Sequence, residues 1–300
     1  MVMYVDEARV RALLRWDALI GAMESALAAF SSGRVIQPVR SMITIEEDRR
    51  YLGIMPAVAE DVMGLKVVSF YPGNAGTVVP THLAMIVLLR SDTGEPLAVM
   101  DGRLITEMRT AAVSAAVTRC LAPPAGSVLA LLGSGVQAKA HLEALSSVCT
   151  FREIRVWSRT ADHARRFAAE HGAAAMDAES AVRGADVIVT ATNAREPILK
   201  GAWLKPGAHV NAIGSPRPTW RELDDEAMAN VLLVDSREAV LKESGDVILS
   251  KASIHAEVGE IFAKRVRRPE GVTTIFKSVG LAVEDVAAAR LVFEASGGKR

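Results

Sequence analysis

The stretch "SVLALLGSGVQAKAHLEAL", Ser127 to Leu145, constrains the fold more than any other part of the chain. An apolar run of strand length enters a glycine turn and leaves it as a helix. Gly133, Gly135 and Ala138 match G-x-G-x-x-A. The first glycine permits the tight turn, and the second lets the backbone approach a pyrophosphate. The third small residue lets the helix pack close to the strand. Such a helix start meets phosphates with free N–H groups and the positive end of its dipole. A lone match is weak, because an ordinary strand-to-helix turn explains many of them. Its context decides here: the match follows a strand and opens a helix inside a longer β-α alternation.

That alternation runs through "SVLALL", "IRVW", "DVIVTAT", "HVNAI" and "VLLVD", with helical segments such as "VQAKAHLEALSS" and "TADHARRFAAEH" between them. It predicts a parallel sheet wrapped by helices. Before it the pattern differs. Residues 6–32 read as two helices, the second capped by Asp17 and ended at Gly33. Short β-like runs follow: "PVRSMITI", "YLGIMPAVA", "GLKVVSFY", "AMIVLLR" and "LAVMDG". Turn-rich pieces separate them, and "SDTGEP" predicts a hairpin, so an antiparallel meander is expected. Ile105 to Ala122 reads as a helix rich in small residues, stopped by Pro123 and Pro124. "AVEDVAAARLVFEAS" is a helix outside the alternation, expected to pack back on the first domain. A chain of 300 residues is long for one core. The expected architecture is α/β: a Rossmann dinucleotide-binding domain over 119–278, and a discontinuous α+β substrate-binding and dimerisation domain from 1–118 with 279–300.

Composition narrows the function. Lys plus Arg and Asp plus Glu both number 35, so no net charge argues for nucleic acid or a membrane surface. Cys120 and Cys149 are the only cysteines, a usage expected of free thiols in the cytoplasm. The charged N-terminus lacks the apolar run of a signal peptide. Metal binding has no support, since the histidines are scattered without H-E-x-x-H. No G-x-S-x-G or Cys–His pairing points to a nucleophile.

The end of the second strand of the alternation bears on cofactor choice. "WSRT" places Ser158, Arg159 and Thr160 there, with no acid before Asp162. An NAD site favours a carboxylate at that point and an NADP site favours a cation, so NADP(H) is expected, with NAD(H) possible. Three other cations sit in apolar runs. Lys66 shares a strand face with Val68 and Phe70. Arg109 shares a helix stripe with Ala112, Val113 and Ala116, and Arg40 lies in "QPVRSMI". Each alone is more often an edge or solvated charge, and the pattern does not bring them together. His82 and Asp101 stand at strand ends, where either fits a turn.

In "GLKVVSFYPGN", "VMDGRLITEMRTAAVSAA", "LLGSGVQA", "VWSRT", "NAIGSPRPTWRELDD", "KESGDVILS" and "TTIFKSVGLAVED" the chain resembles the ornithine cyclodeaminase/mu-crystallin family over nearly its full length. The last three motifs bring it nearer to the mu-crystallin-like ketimine reductases. The resemblance implies a homodimer that binds a small α-imino or α-amino acid. It implies a carboxylate clamp of Arg40, Lys66 and Arg109, with no anion of the chain expected beside it. It further implies cofactor contacts from Thr81, His82, Arg109, Thr110, Gly133, Ser134, Gly135, Val136, Gln137, Ser158, Arg159, Thr160, Thr192, Asn193 and Ser278. One departure matters. Cyclodeaminases carry an Asp two residues after the glycine of their "NA-[IV]-G" strand, and Pro216 stands there, without an ionisable group.

The expected activity is NADPH-dependent reduction of the C=N bond of an imino acid such as pyrroline- or piperideine-2-carboxylate. Either the ketimine arrives already protonated or Lys66, the expected catalytic residue, supplies the proton, its pKa lowered by neighbouring cations. An amino acid dehydrogenase, a cyclodeaminase-type lyase and a non-catalytic ligand-binding protein remain as alternatives.

Overall fold

A computed structural model describes residues 2–121, Pro123 and residues 126–298. The described chain divides into two units, residues 1–109 with 281–300, and residues 110–280. The first division falls inside a helix, at 109/110, where sequence pattern set it at 118/119.

The first unit is built on a sheet. β1 (Met3–Val5) precedes α1 (Glu7–Leu13) and α2 (Trp16–Ser31), and then β2 (Val35–Ile36), β3 (Ser41–Glu46), β4 (Arg50–Ala59), β5 (Val62–Phe70), β6 (His82–Arg90) and β7 (Pro96–Asp101) follow. Their order is β1-β7-β6-β5-β4-β2, with β3 also on β4, and only the β1–β7 pair is parallel. The hairpin expected at "SDTGEP" joins β6 to β7. Asp17 is not a cap: α2 begins at Trp16 after Arg15, which puts Asp17 inside the first turn, where an acid still complements the dipole. Gly33, at φ 72°, follows the end of α2. Arg40 lies just before β3 rather than in it.

The C-terminal helix (Ala282–Ala295) lies across β4, β5 and β6 and against α2. Gly64 on β5 sets how close it comes. A Cβ there would stand 2.7 Å from Val286 Cγ2 and 3.0 Å from the Val87 carbonyl oxygen. On the other face, β-alternation aligns Ile43, Ile45, Val67, Leu83 and Met85, all exposed.

α3 (Arg103–Leu121) starts two residues earlier than its pattern predicts, because Asp101 Oδ1 accepts the Arg103 N–H at 2.9 Å. Ala122 and Pro124, read as its last residue and part of its stop, lie outside the described residues.

The second unit is a parallel sheet with helices from the intervening segments. β8 (Ser127–Leu132), α4 (Val136–Ser146), β9 (Phe151–Trp157), α5 (Ala161–His171), β10 (Ala174–Ala175), β11 (Val187–Thr190), β12 (His209–Ala212), β13 (Val231–Val234), β14 (Ile254–Glu257) and β15 (Thr274–Lys277) contribute. The strand order is β10-β9-β8-β11-β12-β15-β13-β14, every pair parallel. β8, β11, β12 and β15 are buried throughout, as strands covered on both faces must be. Pattern alone missed β10, β14 and β15. Among the described residues no helix is long and apolar enough to cross a membrane.

Candidate active site

In the first unit, Lys66 on β5 and Arg109 on α3 are 2% and 4% exposed. Lysine and arginine tolerate such burial only when paired. Both meet the first turn of the C-terminal helix. Lys66 Nζ lies 2.6 Å from Asp285 Oδ2, and Arg109 Nε donates to Asp285 Oδ1 at 3.0 Å. An Arg109 terminal nitrogen also donates to Glu284. The expectation that no anion of the chain stands beside the cations is therefore wrong. The carboxylates come from a helix far along the sequence, and the close approach at Gly64 delivers them.

The electrostatics follow from this packing. Burial pulls Lys66 down to about 8; Asp285 opposes the shift, and Arg109 and Arg40 add to it. Burial, more than the neighbouring cations, is thus the main cause. Burial alone would raise Asp285, but Arg109 and Lys66 outweigh it and hold the carboxyl below its ordinary range. Burial also works against the Arg109 charge, and Asp285 and Glu284 overturn that and raise its pKa. His82, at the start of β6, falls to about 4 through burial and then the positive fields of Lys66 and Arg109. It is a neutral imidazole at neutral pH. Arg40 is half-buried and acts electrostatically on both Lys66 and Asp285. Arg103 also reaches His82 electrostatically, but it pairs with Glu7 and with Glu107 at 2.7 Å. Thr81, beside His82, is half-buried, and its carbonyl accepts the Tyr71 N–H at 2.7 Å.

The second unit holds the glycine turn. Gly133 has φ 127°, and a Cβ there would meet the Ala191 carbonyl oxygen at 2.5 Å. Its N–H donates to the Trp157 carbonyl at 2.8 Å, which ties the turn to the end of β9. Gly135 is the N-cap of α4 with no side-chain bond to the helix, and a Cβ there would meet nothing within 4 Å. Val136 beyond it is 59% exposed and Gln137 is half-buried. An open helix start with uncapped N–H groups, reached through a turn only glycine can make, fits a pyrophosphate. Ser134 Oγ donates to Ser158 Oγ at 3.0 Å, joining the turn to "SRT". Arg159 and Thr160 are exposed, as are Asn193 and Asp162, and Asp162 pairs with Arg165. Thr110 is half-buried on α3.

Two of the expected cofactor contacts are engaged with the protein itself. Thr192 donates its hydroxyl to Glu222 at 2.6 Å and its N–H to the same oxygen at 2.7 Å. Ser278 is buried and donates to Asp235 at 2.9 Å. Glu222 belongs to a network that sequence reading missed. It also accepts from Thr190 Oγ1 at 2.6 Å and the Gly214 N–H at 2.9 Å. Asp246 accepts the N–H groups of Glu222 and Leu223 and pairs with Lys277 at 2.8 Å. Lys277 also donates to the Gly214 carbonyl at 2.6 Å. Pro216 is exposed, directly after Ser215 at φ 50°.

A wound parallel sheet with this glycine turn defines a Rossmann-type α/β protein. The chain belongs to the ornithine cyclodeaminase/mu-crystallin family, whose model matches residues 2–300. It is 50% identical over 291 residues to ketimine reductase mu-crystallin of Mus musculus, covering 94% of this chain and 93% of that one. Among solved structures it is similar to Delta(1)-pyrroline-2-carboxylate reductase of Thermococcus litoralis in complex with NADH and L-proline. That match has a TM-score of 0.92, 34% identity and 100% coverage of both chains. It is also similar to an archaeal alanine dehydrogenase dimer with bound NAD, at TM-score 0.91 and 32% identity, covering 99% of this chain and 98% of that chain.

Proposed function

We propose that the protein is an NAD(P)H-dependent ketimine reductase that acts on a small α-imino acid. The buried Lys66–Asp285–Arg109 cluster carries the reading. It holds two buried cations in fixed positions, with the field of Arg40 acting on it, an arrangement of donors that suits a carboxylate. Arg40, Lys66 and Arg109 hold the substrate carboxylate. The glycine turn and the open start of α4 hold the cofactor pyrophosphate. A bound reduced nicotinamide supplies a hydride for the imine carbon. Lys66, protonated below about pH 8, holds the proton that the nitrogen gains as the C=N bond becomes C–N. His82, neutral, adds no competing charge. The named activities of the mouse and Thermococcus relatives support the same chemistry.

The alternatives are weaker. A cyclodeaminase cycle needs a group that moves protons beside the substrate nitrogen, and Pro216 offers none. A non-catalytic binder would not need a lysine buried to the edge of titration. Arg159 at the end of β9, with no competing acid before Asp162, supports NADPH over NADH. The exposed apolar face of Ile43, Ile45, Val67, Leu83 and Met85 supports a homodimer, as does the dimeric alanine dehydrogenase.

The test is a panel of pyrroline-2-carboxylate, piperideine-2-carboxylate and 2-keto acids with ammonia, each with NADPH and NADH, read as kcat/KM. Ketimines should be the best substrates, and ornithine with NAD+ should release no ammonia. Keto acids plus ammonia outperforming every ketimine would make it an amino acid dehydrogenase, and no cofactor consumption at all would leave a binder. Arg159→Ala should lower the NADPH-to-NADH preference about fivefold, roughly 1 kcal/mol for an exposed charge; equal losses would remove Arg159 from the cofactor choice. Sedimentation should give a dimer, and Val67→Glu should shift it toward monomer.

A further inference from the structure

The carboxylate of Glu222 sits where the ends of two parallel strands meet. Its Oε2 accepts the Thr190 hydroxyl at 2.6 Å and the Gly214 N–H at 2.9 Å, and its Oε1 accepts the Thr192 N–H at 2.7 Å and the Thr192 hydroxyl at 2.6 Å. Thr190 is the last residue of β11, and Gly214 follows the end of β12. Four donors use the accepting capacity of a carboxylate in full. A Cβ on Gly214 would stand 2.4 Å from Glu222 Oε1 and 2.3 Å from the Thr192 carbonyl oxygen, so only glycine lets the two strand ends approach this closely. Glu222 is itself fully buried and held from behind. Asp246 accepts its N–H at 2.8 Å, and its carbonyl accepts the N–H groups of Ile198 and Leu199 at 2.8 and 2.9 Å.

This staple fixes the segment from Ala191 to Ala194. The Thr192 hydroxyl gives its proton to Glu222 and accepts the Ala194 N–H at 3.2 Å. Ser215 donates its hydroxyl to the Ala194 carbonyl at 2.6 Å and its N–H to the Thr192 carbonyl at 2.9 Å. Ala191 is the residue against which Gly133 of the glycine turn packs, and Asn193 is exposed between its fixed neighbours. Strand order then says which part of a dinucleotide lies over this segment. β9, β8, β11 and β12 are consecutive in the sheet. The pyrophosphate belongs at the start of α4, after β8, and the adenosine ribose at the end of β9. The nicotinamide half runs the other way, over the ends of β11 and β12.

We infer that Glu222 is a positioning residue for the nicotinamide half of the cofactor: from beneath the sheet edge it holds residues 191–194 in the shape that this half binds. The inference rests on the dinucleotide reading and divides the site in two. The adenosine half, at the end of β9, does not depend on Glu222, and the nicotinamide half does.

Calorimetry tests this by comparing the whole reduced cofactor with its adenosine fragment: NADPH with 2′,5′-ADP, or NADH with ADP, whichever cofactor the wild type binds more tightly. Glu222→Gln keeps the size of the side chain but leaves one accepting oxygen where there were two, so one pair of donors is released. Affinity for the whole cofactor should fall about tenfold, the worth of one hydrogen bond to a charged group, and affinity for the fragment should not change. A merely structural role would weaken both ligands alike, or lower the urea midpoint and weaken neither. Thr190→Val removes one anchor of Glu222 from a residue that is itself fully buried. It should shift cofactor binding in the same direction by less, Thr190→Ser should restore it, and this pair stands in if Glu222→Gln does not fold. Equal losses for cofactor and fragment overturn the inference, as does unchanged cofactor affinity in the folded variants. A wild type that binds neither cofactor ends the dinucleotide reading, and the inference with it.

Discussion

Two buried Lys–Asp pairs, one in each unit, look alike at close range. Lys66 and Asp285 are 2.6 Å apart, Lys277 and Asp246 are 2.8 Å apart, and no member of either pair is more than 2% exposed. Their surroundings have opposite sign. Arg109 and Arg40 flank the first pair. Glu222 and the Gly214 carbonyl flank the second, where backbone N–H groups and threonine hydroxyls saturate the acids. Burial pushes Glu222 up, with Asp246 adding to the shift and Lys277 opposing it. Cations surround the first pair, as the proposed binding of a substrate carboxylate needs; the second holds the chain around Thr192 and Gly214 in place. A buried ion pair alone identifies neither role, and the groups that flank it separate them.

The comparison breaks most visibly at the lysines. Lys66→Met should lower kcat/KM about 100- to 10,000-fold, the range for a lost proton donor, while urea unfolding changes little because Arg109 still pairs with Asp285. Normal turnover in that variant would end the assignment of the proton to Lys66. Lys277→Met should do the reverse. Asp246 would be left buried beside Glu222, and unfolding free energy should fall by about 3–5 kcal/mol. A Lys277→Met protein of unchanged urea midpoint would show that the second network does not hold the fold. Arg109→Leu should cost about 2–5 kcal/mol in kcat/KM, chiefly through KM, with the circular dichroism of the wild type. A purely structural Arg109 would instead show up as lost helix signal with little change in KM.

The smallest effect sharpens the comparison through pH. In the proposed reaction the protonated form of Lys66 is the useful one, and its pKa in the folded protein is about 8. Turnover should therefore hold below pH 8 and fall above it, by about tenfold at pH 9. His82, at about 4, should contribute no titration between pH 5 and 8. A limb near pH 6.5 in that range would show that His82 is not held neutral.

Much of the second unit was legible because its central strands are continuous apolar runs and its turn needs particular glycines. β15 escaped because "TIFK" is four residues long and ends in a charge, which reads as a strand margin. In fact Lys277 is fully buried by Asp246. In the first unit the cations were visible as charges on apolar faces. Their partners were not, since "LAVEDVAAAR" reads as an ordinary helix with acids in its first turn. Arg109 and Asp285 stand 176 residues apart, and no periodicity reports across that distance. Gly64 was unreadable for the same reason: nothing local says that a helix must come within a methyl group of that strand.

The placement of the C-terminal helix has a consequence for how the protein is made. On the ribosome the meander and Arg109 emerge early, and Asp285 follows 176 residues later, roughly 10 to 35 s afterwards at about 5–20 residues per second. Throughout that interval Lys66 and Arg109 lack their acids and the sheet lacks the helix that covers it. The parallel-sheet unit is synthesised whole in the meantime, so the unit begun first is completed last. A nascent chain stalled before Leu281 thus carries a complete glycine turn in one unit and, in the other, a sheet still open and without the acids for Lys66 and Arg109, a species that chaperones and proteases would recognise as unfinished.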